Sequence, residues 1–198
     1  QSSECLQRFS DELIYAANGE KLKIDSIYTP NSHIFYYRFL AHEIHVPFQH
    51  EILFENENLL VVDKPHFLSM TPTGQDVQET LLVRLKRQTS NQDLTPIHRL
   101  DRETAGVVLF SKKPESRGMY QQLFAERKVQ KVYHAIAAYH PELKFPLTVQ
   151  LHLEKGNPFY IMQINPEKLS NTETYIELLE QTQHHAKYLL KPKTGKQH

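Results

Sequence analysis

A run of strand-like segments in the second half of the chain constrains the fold more than any other feature. Two helical segments of the same domain come before this run: Val77–Gln88 carries one apolar stripe, and a second amphipathic helix is predicted to begin at Pro114. Because the strands follow one another without intervening helices, the order predicts an α+β fold with a mixed, mostly antiparallel sheet flanked by helices. The predicted strands of the run are Val132–Tyr139, Leu147–Leu153, Phe159–Ile164, Thr174–Leu179 and Tyr188–Lys191.

Residues 1–50 have a different pattern, and we expect them to form a small N-terminal extension to a domain at residues 51–198. Leu6–Ala17 predicts a short helix, and Lys21–Ile24 and His33–Leu40 predict strands around the turn TPNS. The aromatic stretch IFYYRF within the second strand either packs against the main sheet or stacks its tyrosines on nucleobases.

The composition excludes several classes of protein. No apolar run approaches the ~20 residues that a membrane-spanning helix needs. Cys5 is the single cysteine, so an internal disulfide is excluded and a structural zinc site is not expected. The 12 histidines are scattered and predict no metal site. The lone thiol and the lack of a basic-then-apolar leader pattern indicate a cytoplasmic protein with no membrane partner.

The charge of the chain is balanced, with 23 basic and 23 acidic residues. Basic residues gather at 84–87, 112–117, 127–131 and 187–196, whereas acidic residues gather at 51–57 and 173–180. A basic face opposite an acidic face would reconcile neutrality with binding to RNA. Ordinary solvated charge is the alternative interpretation of each cluster.

The stretch HRLDRETAGVVL, residues 98–109, carries the clearest chemical signal. Asp101 lies between Arg99 and Arg102 in a predicted loop that starts at Pro96, and Gly106 leads from this loop into an apolar strand at Val107–Ser111. Flanking guanidinium groups keep a carboxylate ionised, and such a carboxylate can act as a nucleophile or a general base. The same pattern also occurs where ion pairs only tie down a surface loop.

The same stretch resembles the signature of RluA-type RNA pseudouridine synthases, in which an HRLDRxTSG-like motif carries the catalytic aspartate. Ala105 stands where that family usually has serine. Three further segments resemble family motifs in the right order. They are LLVVDKP at Leu59–Pro65 with the following turn MTPTG, KVYHA at Lys131–Ala135, and TGKQH at Thr194–His198.

The resemblance extends from about Ile52 to the last residue and implies a pseudouridine synthase domain that acts on rRNA or tRNA without a cofactor. It implies that Asp101 is catalytic, either attacking ribose C1′ or abstracting a ribose proton. It implies that Tyr133 lies against the flipped uracil, although a strand tyrosine can also simply pack in a core. Arg99 matches the position that enters the vacated base stack. The other residues expected to contact RNA are Arg102, Lys131 and Lys196.

Two more residues near these motifs have open roles. His98 either orients the Asp101 loop or is a structural histidine. Lys64, which precedes Pro65, is interpreted as support for the sheet edge, with contact to RNA as the lesser option.

In the family, the third motif continues to an arginine or lysine that pairs with the catalytic aspartate, whereas this sequence stops at His198. We therefore expect the domain at 51–198 to lack its C-terminal part and the chain as given to be inactive. Two other functions remain open. A non-catalytic RNA-binding module of the same fold is the first alternative. A carboxylate hydrolase is the second, but no second catalytic carboxylate can be identified.

Overall fold

The computed structural model describes residues 2–36, 43–74, 76–158 and 161–195, and every strand pairing whose register it gives is antiparallel. The predicted α+β class is confirmed. The helices are α1 (Ser2–Ser10), α2 (Leu81–Thr89) and α3 (Pro114–Ala125). The strands are β1 (Ile14–Ala16), β2 (Ile34–Tyr36), β3 (Glu51–Glu55), β4 (Leu59–Lys64), β5 (Thr95–Pro96), β6 (Gly106–Ser111), β7 (Tyr133–Ala138), β8 (Leu147–Leu151), β9 (Leu153–Lys155), β10 (Met162–Ile164), β11 (Thr172–Gln181) and β12 (His185–Pro192).

The chain divides into two compact units that are not continuous in sequence. The second unit consists of Glu51–Asp63, Asn91–Leu100 and Gly106–His198. The first unit consists of Gln1–His50, Lys64–Ser90 and Asp101–Ala105. The first unit therefore includes parts of two of the sequence motifs, and the division into domains at 1–50 and 51–198 stays a prediction.

The N-terminal part of the first unit corrects two predictions. The helix predicted at Leu6–Ala17 ends at Ser10, because the Leu13 amide donates to the Arg8 carbonyl and Glu12 takes a positive φ of 54°. This is a Schellman-type end, after which the chain is free to extend. β1 then pairs with β2 where a helix was predicted to continue.

The strand predicted at Lys21–Ile24 is also wrong, since only Lys21 makes an isolated bridge, to Tyr15. The strand predicted at His33–Leu40 is confirmed over Ile34–Tyr36. Its last four residues lie outside the described part of the chain.

Helix α2 also belongs to the first unit, and its start and its buried face agree with its capping residue and apolar spacing. Thr80 is the N-cap, and its hydroxyl accepts a hydrogen bond from the Val83 amide at 3.4 Å. Leu81 and Leu85, one turn apart, are fully buried. The predicted helix at Val77–Gln88 is thus confirmed with a later start.

A four-stranded sheet has the strand order β3-β4-β6-β5, and all its residues except Lys64, the last of β4, belong to the second unit. Side chains alternate along β4, so that Leu60 and Val62 are fully buried on one face. Val108 and Phe110 of β6 are fully buried as well. This alternation continues to the last residue of β4, which is Lys64.

A second sheet of four strands in the same unit has the order β7-β12-β11-β8. It accounts for most of the predicted run of strands. The predicted strand at Leu147–Leu153 divides at His152 into β8 and β9, and β9 pairs with β10 instead of joining this sheet. Of the strand predicted at Phe159–Ile164, Met162–Ile164 is confirmed and residues 159–160 are outside the description. Within the described residues no helix is long and apolar enough to cross a membrane.

Candidate active site

Asp101 is the first residue of Asp101–Ala105, the part of the signature motif that belongs to the first unit. The Thr104 amide donates to the Asp101 carbonyl at 3.1 Å and closes a turn. The Asp101 side chain is exposed. The structure therefore presents the candidate carboxylate on a short turn where a large substrate could reach it.

Beneath this turn lies a buried ammonium group. Lys64 is 0% exposed, and its Nζ donates to the carbonyls of Pro65 at 3.0 Å, Leu68 at 2.8 Å and Arg102 at 3.2 Å. Burial lowers the pKa of Lys64 to about 8, although the nearby carboxylates of Glu103 and Asp101 favour the charged form. The cation thus satisfies three carbonyls and adds positive charge near Asp101.

Two more hydrogen bonds join the segment after Lys64 to the Asp101 turn. His66 donates from Nδ1 to the Glu103 carbonyl at 2.7 Å, because a carbonyl can only accept. Arg102 donates from Nε to the Phe67 carbonyl at 3.2 Å. Residues 102 and 103, directly after Asp101, are therefore held at both of their main-chain carbonyls.

The interpretation of Lys64 as support for the sheet edge is wrong. β4 is an inner strand, and the ammonium supports the Asp101 turn instead. Because the residue is fully buried, it is not available to contact RNA either. A signal was present in the alternation of Leu60, Val62 and Lys64, which places the lysine on the buried face. The role of His66 had no signal in the sequence, since it depends on a partner 37 residues away.

The second unit contains the first half of the motif. His98 accepts a hydrogen bond at Nε2 from the Leu109 amide at 3.3 Å, and its ring stacks on Phe124 with 4.7 Å between centroids. Burial lowers the pKa of His98, a hydrogen bond with the Arg99 backbone opposes this, and the charge of Lys131 adds to the lowering. A neutral imidazole that accepts at Nε2 is the state this geometry requires, so His98 orders the start of the loop. Arg99 is exposed.

The second unit also contains the candidates from the KVYHA and TGKQH segments. Tyr133 is half-buried at the start of β7 and is paired with Leu190 of β12. Lys131 donates from Nζ to the Thr194 carbonyl at 3.1 Å, and burial lowers its pKa. This bond joins the two motif-like segments. Lys196 lies outside the described residues.

The candidate residues therefore fall in both units, with Asp101 and Arg102 in the first and Arg99, Lys131 and Tyr133 in the second. The described side chains contain no group of three or more histidine, cysteine, aspartate or glutamate residues that could hold a metal ion.

Gly106 is the first residue of β6 and follows the Asp101 loop, as the sequence predicts. Its φ is 128°, a value that residues with a side chain rarely adopt, so glycine suits this position.

Comparison with protein families matches residues 58–198 to the family described as RNA pseudouridylate synthase. The chain belongs to this family. The match includes all four motif-like segments, and the resemblance noted in the sequence is thereby confirmed at the level of the family.

Individual pseudouridine synthases are similar over parts of the chain. The tRNA pseudouridine synthase C of Haemophilus ducreyi is 30% identical over 164 residues, covering 75% of this chain and 65% of that protein. The tRNA pseudouridine(31) synthase of Saccharomyces cerevisiae is 38% identical over 84 residues, covering 42% of this chain and 20% of that protein. The chain thus spans less than two thirds of the length of these relatives.

Solved structures of pseudouridylate synthase domains share the fold. Human RNA pseudouridylate synthase domain containing 4 aligns with a TM-score of 0.58 and 27% identity, covering 74% of this chain and 60% of that one. Human RNA pseudouridylate synthase domain containing 1 aligns with a TM-score of 0.62 and 22% identity, covering 78% and 64%. At this level of identity the second likeness concerns the fold alone.

Proposed function

We propose that this chain is part of an enzyme that isomerises uridine to pseudouridine in RNA, with transfer RNA as its substrate class. One structural observation carries the proposal: the exposed Asp101 lies on a turn whose next two carbonyls are held by Lys64 and His66. Membership of the RNA pseudouridylate synthase family supports the reaction. The names of the Haemophilus and yeast relatives, both tRNA pseudouridine synthases, support transfer RNA over ribosomal RNA.

The proposed reaction breaks the bond between ribose C1′ and uracil N1, rotates the base, and forms a bond from C1′ to C5. The proton that C5 loses is balanced by one gained at N1, so the product is an isomer and the reaction needs no redox partner. We therefore propose that no cofactor takes part. The target uridine must leave the base stack, which costs a few kcal/mol. Asp101 then acts on the sugar, by attack at C1′ or by removal of a ribose proton.

The other candidates have supporting roles in this proposal. Tyr133 lies against the flipped uracil, and its hydroxyl takes part in proton transfer at C5. Arg99 enters the space that the base leaves. Arg102, Lys131 and Lys196 contact phosphate, and for Lys131 the bond to the Thr194 carbonyl orients the ammonium. We further propose that the reaction takes place in the cytoplasm.

Tritium release tests the function directly. Transfer RNA labelled with tritium at uridine C5 is incubated with the enzyme of which this chain is part, with its Asp101→Asn variant and with the matched variant Asp93→Asn, which changes another exposed aspartate. This enzyme is the wild type in every activity test below. We expect the wild type and Asp93→Asn to release tritium, and Asp101→Asn to be slower by at least ~100-fold. Comparable release from both variants would remove Asp101 from the chemistry. A wild-type protein that binds RNA in a salt-sensitive way but releases no tritium would be the non-catalytic module instead.

A further inference from the structure

Phe67 has a main-chain conformation that is unusual for an aromatic residue. Its φ is 65°, in the left-handed region, where glycine would sit without steric cost. Four other non-glycine residues in the described part of the chain have a positive φ, and Phe67 is the aromatic one among them. Its side chain is nevertheless 50% exposed, so burial of the ring offsets only part of the steric cost of this φ. An exposed ring in a strained position indicates a use outside the core.

The ring of Phe67 lies in a small aromatic cluster of the first unit. Its centroid is 6.2 Å from that of Phe48, with 42° between the ring planes, and 5.8 Å from that of His66, with 43° between the planes. Phe48 is 48% exposed. Because the rings are tilted, neither neighbour lies face to face on Phe67. Two half-exposed phenyl rings therefore present aromatic surface to solvent side by side.

This aromatic surface is built into the same scaffold as the Asp101 turn. The Phe67 carbonyl accepts from Arg102 Nε at 3.2 Å, and His66 donates to the Glu103 carbonyl at 2.7 Å. Arg102 is exposed, so a guanidinium group lies beside the residue that carries the ring. Aromatic faces next to a cation match the chemistry of single-stranded nucleic acid, in which flat bases alternate with phosphates.

We propose that Phe67, together with Phe48, is a stacking platform for an unpaired nucleobase of the RNA substrate. The proposal rests on the proposed function, because it takes RNA as the ligand. Stacking uses the face of a base and so tolerates any base. His66 packs on the edge of the platform and holds Phe67 in position, while Arg102 meets the adjoining phosphate.

The test compares two oligomers that share phosphates and differ in bases. One is a fluorescent oligouridylate of about twelve nucleotides, and the other is the same length with abasic sites. We expect Phe67→Gly to weaken binding of the oligouridylate by about 5- to 100-fold and to leave binding of the abasic oligomer unchanged. Phe67→Tyr keeps a ring and should bind like the wild type. Phe54→Leu, a matched change of a phenylalanine that is 51% exposed, should also bind like the wild type.

Glycine accepts the positive φ, so Phe67→Gly should remain folded, which circular dichroism checks. The platform is wrong if the wild type binds both oligomers equally, or if Phe67→Gly binds oligouridylate as tightly as the wild type. A loss of affinity for both oligomers would also overturn it, because the effect would then not depend on bases. Tritium release separates this result from the proposed function. Release of tritium by the wild type tests the proposed function and does not depend on whether Phe67 stacks on a base. The difference in binding between the two oligomers tests the stacking platform and does not depend on whether the enzyme makes pseudouridine.

Discussion

The ammonium of Lys64 donates a hydrogen bond to the main-chain carbonyl of Arg102, with 3.2 Å between Nζ and oxygen. The two residues are 38 positions apart in the chain. This bond ties the residue directly after Asp101 to a fully buried cation. The main chain next to the exposed Asp101 carboxylate is therefore held in place by the Lys64 ammonium, as a preorganised site requires.

His66 offers the first prediction, because its hydrogen bond to the Glu103 carbonyl holds the Asp101 turn. His66→Ala removes the donor and should lower kcat about 3- to 10-fold, since a hydrogen bond of this kind contributes about 1 kcal/mol. His66→Asn can donate from its amide nitrogen and should restore most of kcat. Steady-state kinetics on labelled transfer RNA measures both variants. An Asn variant as slow as the Ala variant would mean that the hydrogen bond does not position the turn.

Lys64 should make stability depend on pH on the alkaline side. Its pKa is about 8 in the folded protein against 10.5 for an unperturbed lysine. Between these values the unfolded chain holds a proton that the folded chain has released, so the free energy of unfolding should rise with pH. Below pH 8 the folded protein bears the full free-energy cost of burying the charged ammonium. Loss of the Lys64 proton removes this cost, so the free energy of unfolding should be higher by up to about 3 kcal/mol at about pH 10.5.

Urea denaturation at about pH 7 and about pH 10 measures this effect of Lys64. Lys64→Met should lack the rise that the wild type shows. The control variant Lys144→Met, at an exposed position, should keep it. Identical pH dependence in the wild type and in Lys64→Met would contradict the assignment.

His98 predicts a pH dependence on the acidic side. Burial lowers its pKa below the usual 6.5, so on acidification the unfolded chain takes up a proton before the folded chain does. The free energy of unfolding should therefore fall as the pH drops below about 6.5, because protonated Nε2 can no longer accept from the Leu109 amide. Thermal or urea unfolding between pH 7 and pH 5 follows this loss.

Two glutamine variants isolate the contribution of His98. His98→Gln supplies an acceptor that does not titrate and should flatten the acidic slope. His184→Gln, at an exposed histidine, should retain it. The prediction fails if both variants show the same slope as the wild type.

Glu43 should control local opening of the chain before α2. Its carboxylate accepts hydrogen bonds from the amides of Val77 at 2.5 Å, Gln78 at 2.8 and 2.9 Å, and Glu79 at 2.8 Å. Although burial opposes it, these amides lower the pKa of Glu43. Glu43→Ala should speed hydrogen exchange at these three amides by at least ~10-fold, because hydrogen bonds to a charged group contribute about 1.5–3 kcal/mol. Glu167→Ala, an exposed control, should leave their exchange unchanged.

Tyr133 predicts a difference between catalysis and binding. Tyr133→Phe keeps the ring against the base and removes the hydroxyl proposed to assist at C5. We expect kcat to fall at least ~100-fold while the Kd for transfer RNA changes little. Equal losses in kcat and affinity would indicate that the tyrosine serves the fold alone.

Much of the secondary structure could be predicted from local pattern. β7, β11 and β12 match predicted strands because alternating apolar residues and β-branched side chains act over a few neighbouring positions. Pro114 begins α3 as predicted, since proline suits the first turn of a helix. The helix predicted at Leu6–Ala17 is wrong at its C-terminal end, because that end depends on Glu12 in a left-handed conformation and on the pairing of β1 with β2. Neither is visible in local periodicity.

The family, the α+β class and the residue proposed for catalysis can all be inferred from the linear sequence. Motif order and side-chain chemistry are properties of the linear chain, so Asp101 could be singled out without coordinates. The contacts that hold the Asp101 turn in place exist only once the chain has folded. The bonds from Lys64 and His66 end on carbonyl groups, which every residue carries and which therefore leave no mark in the sequence. Folding brings those carbonyls within reach and buries Lys64, and that burial is what lowers its pKa.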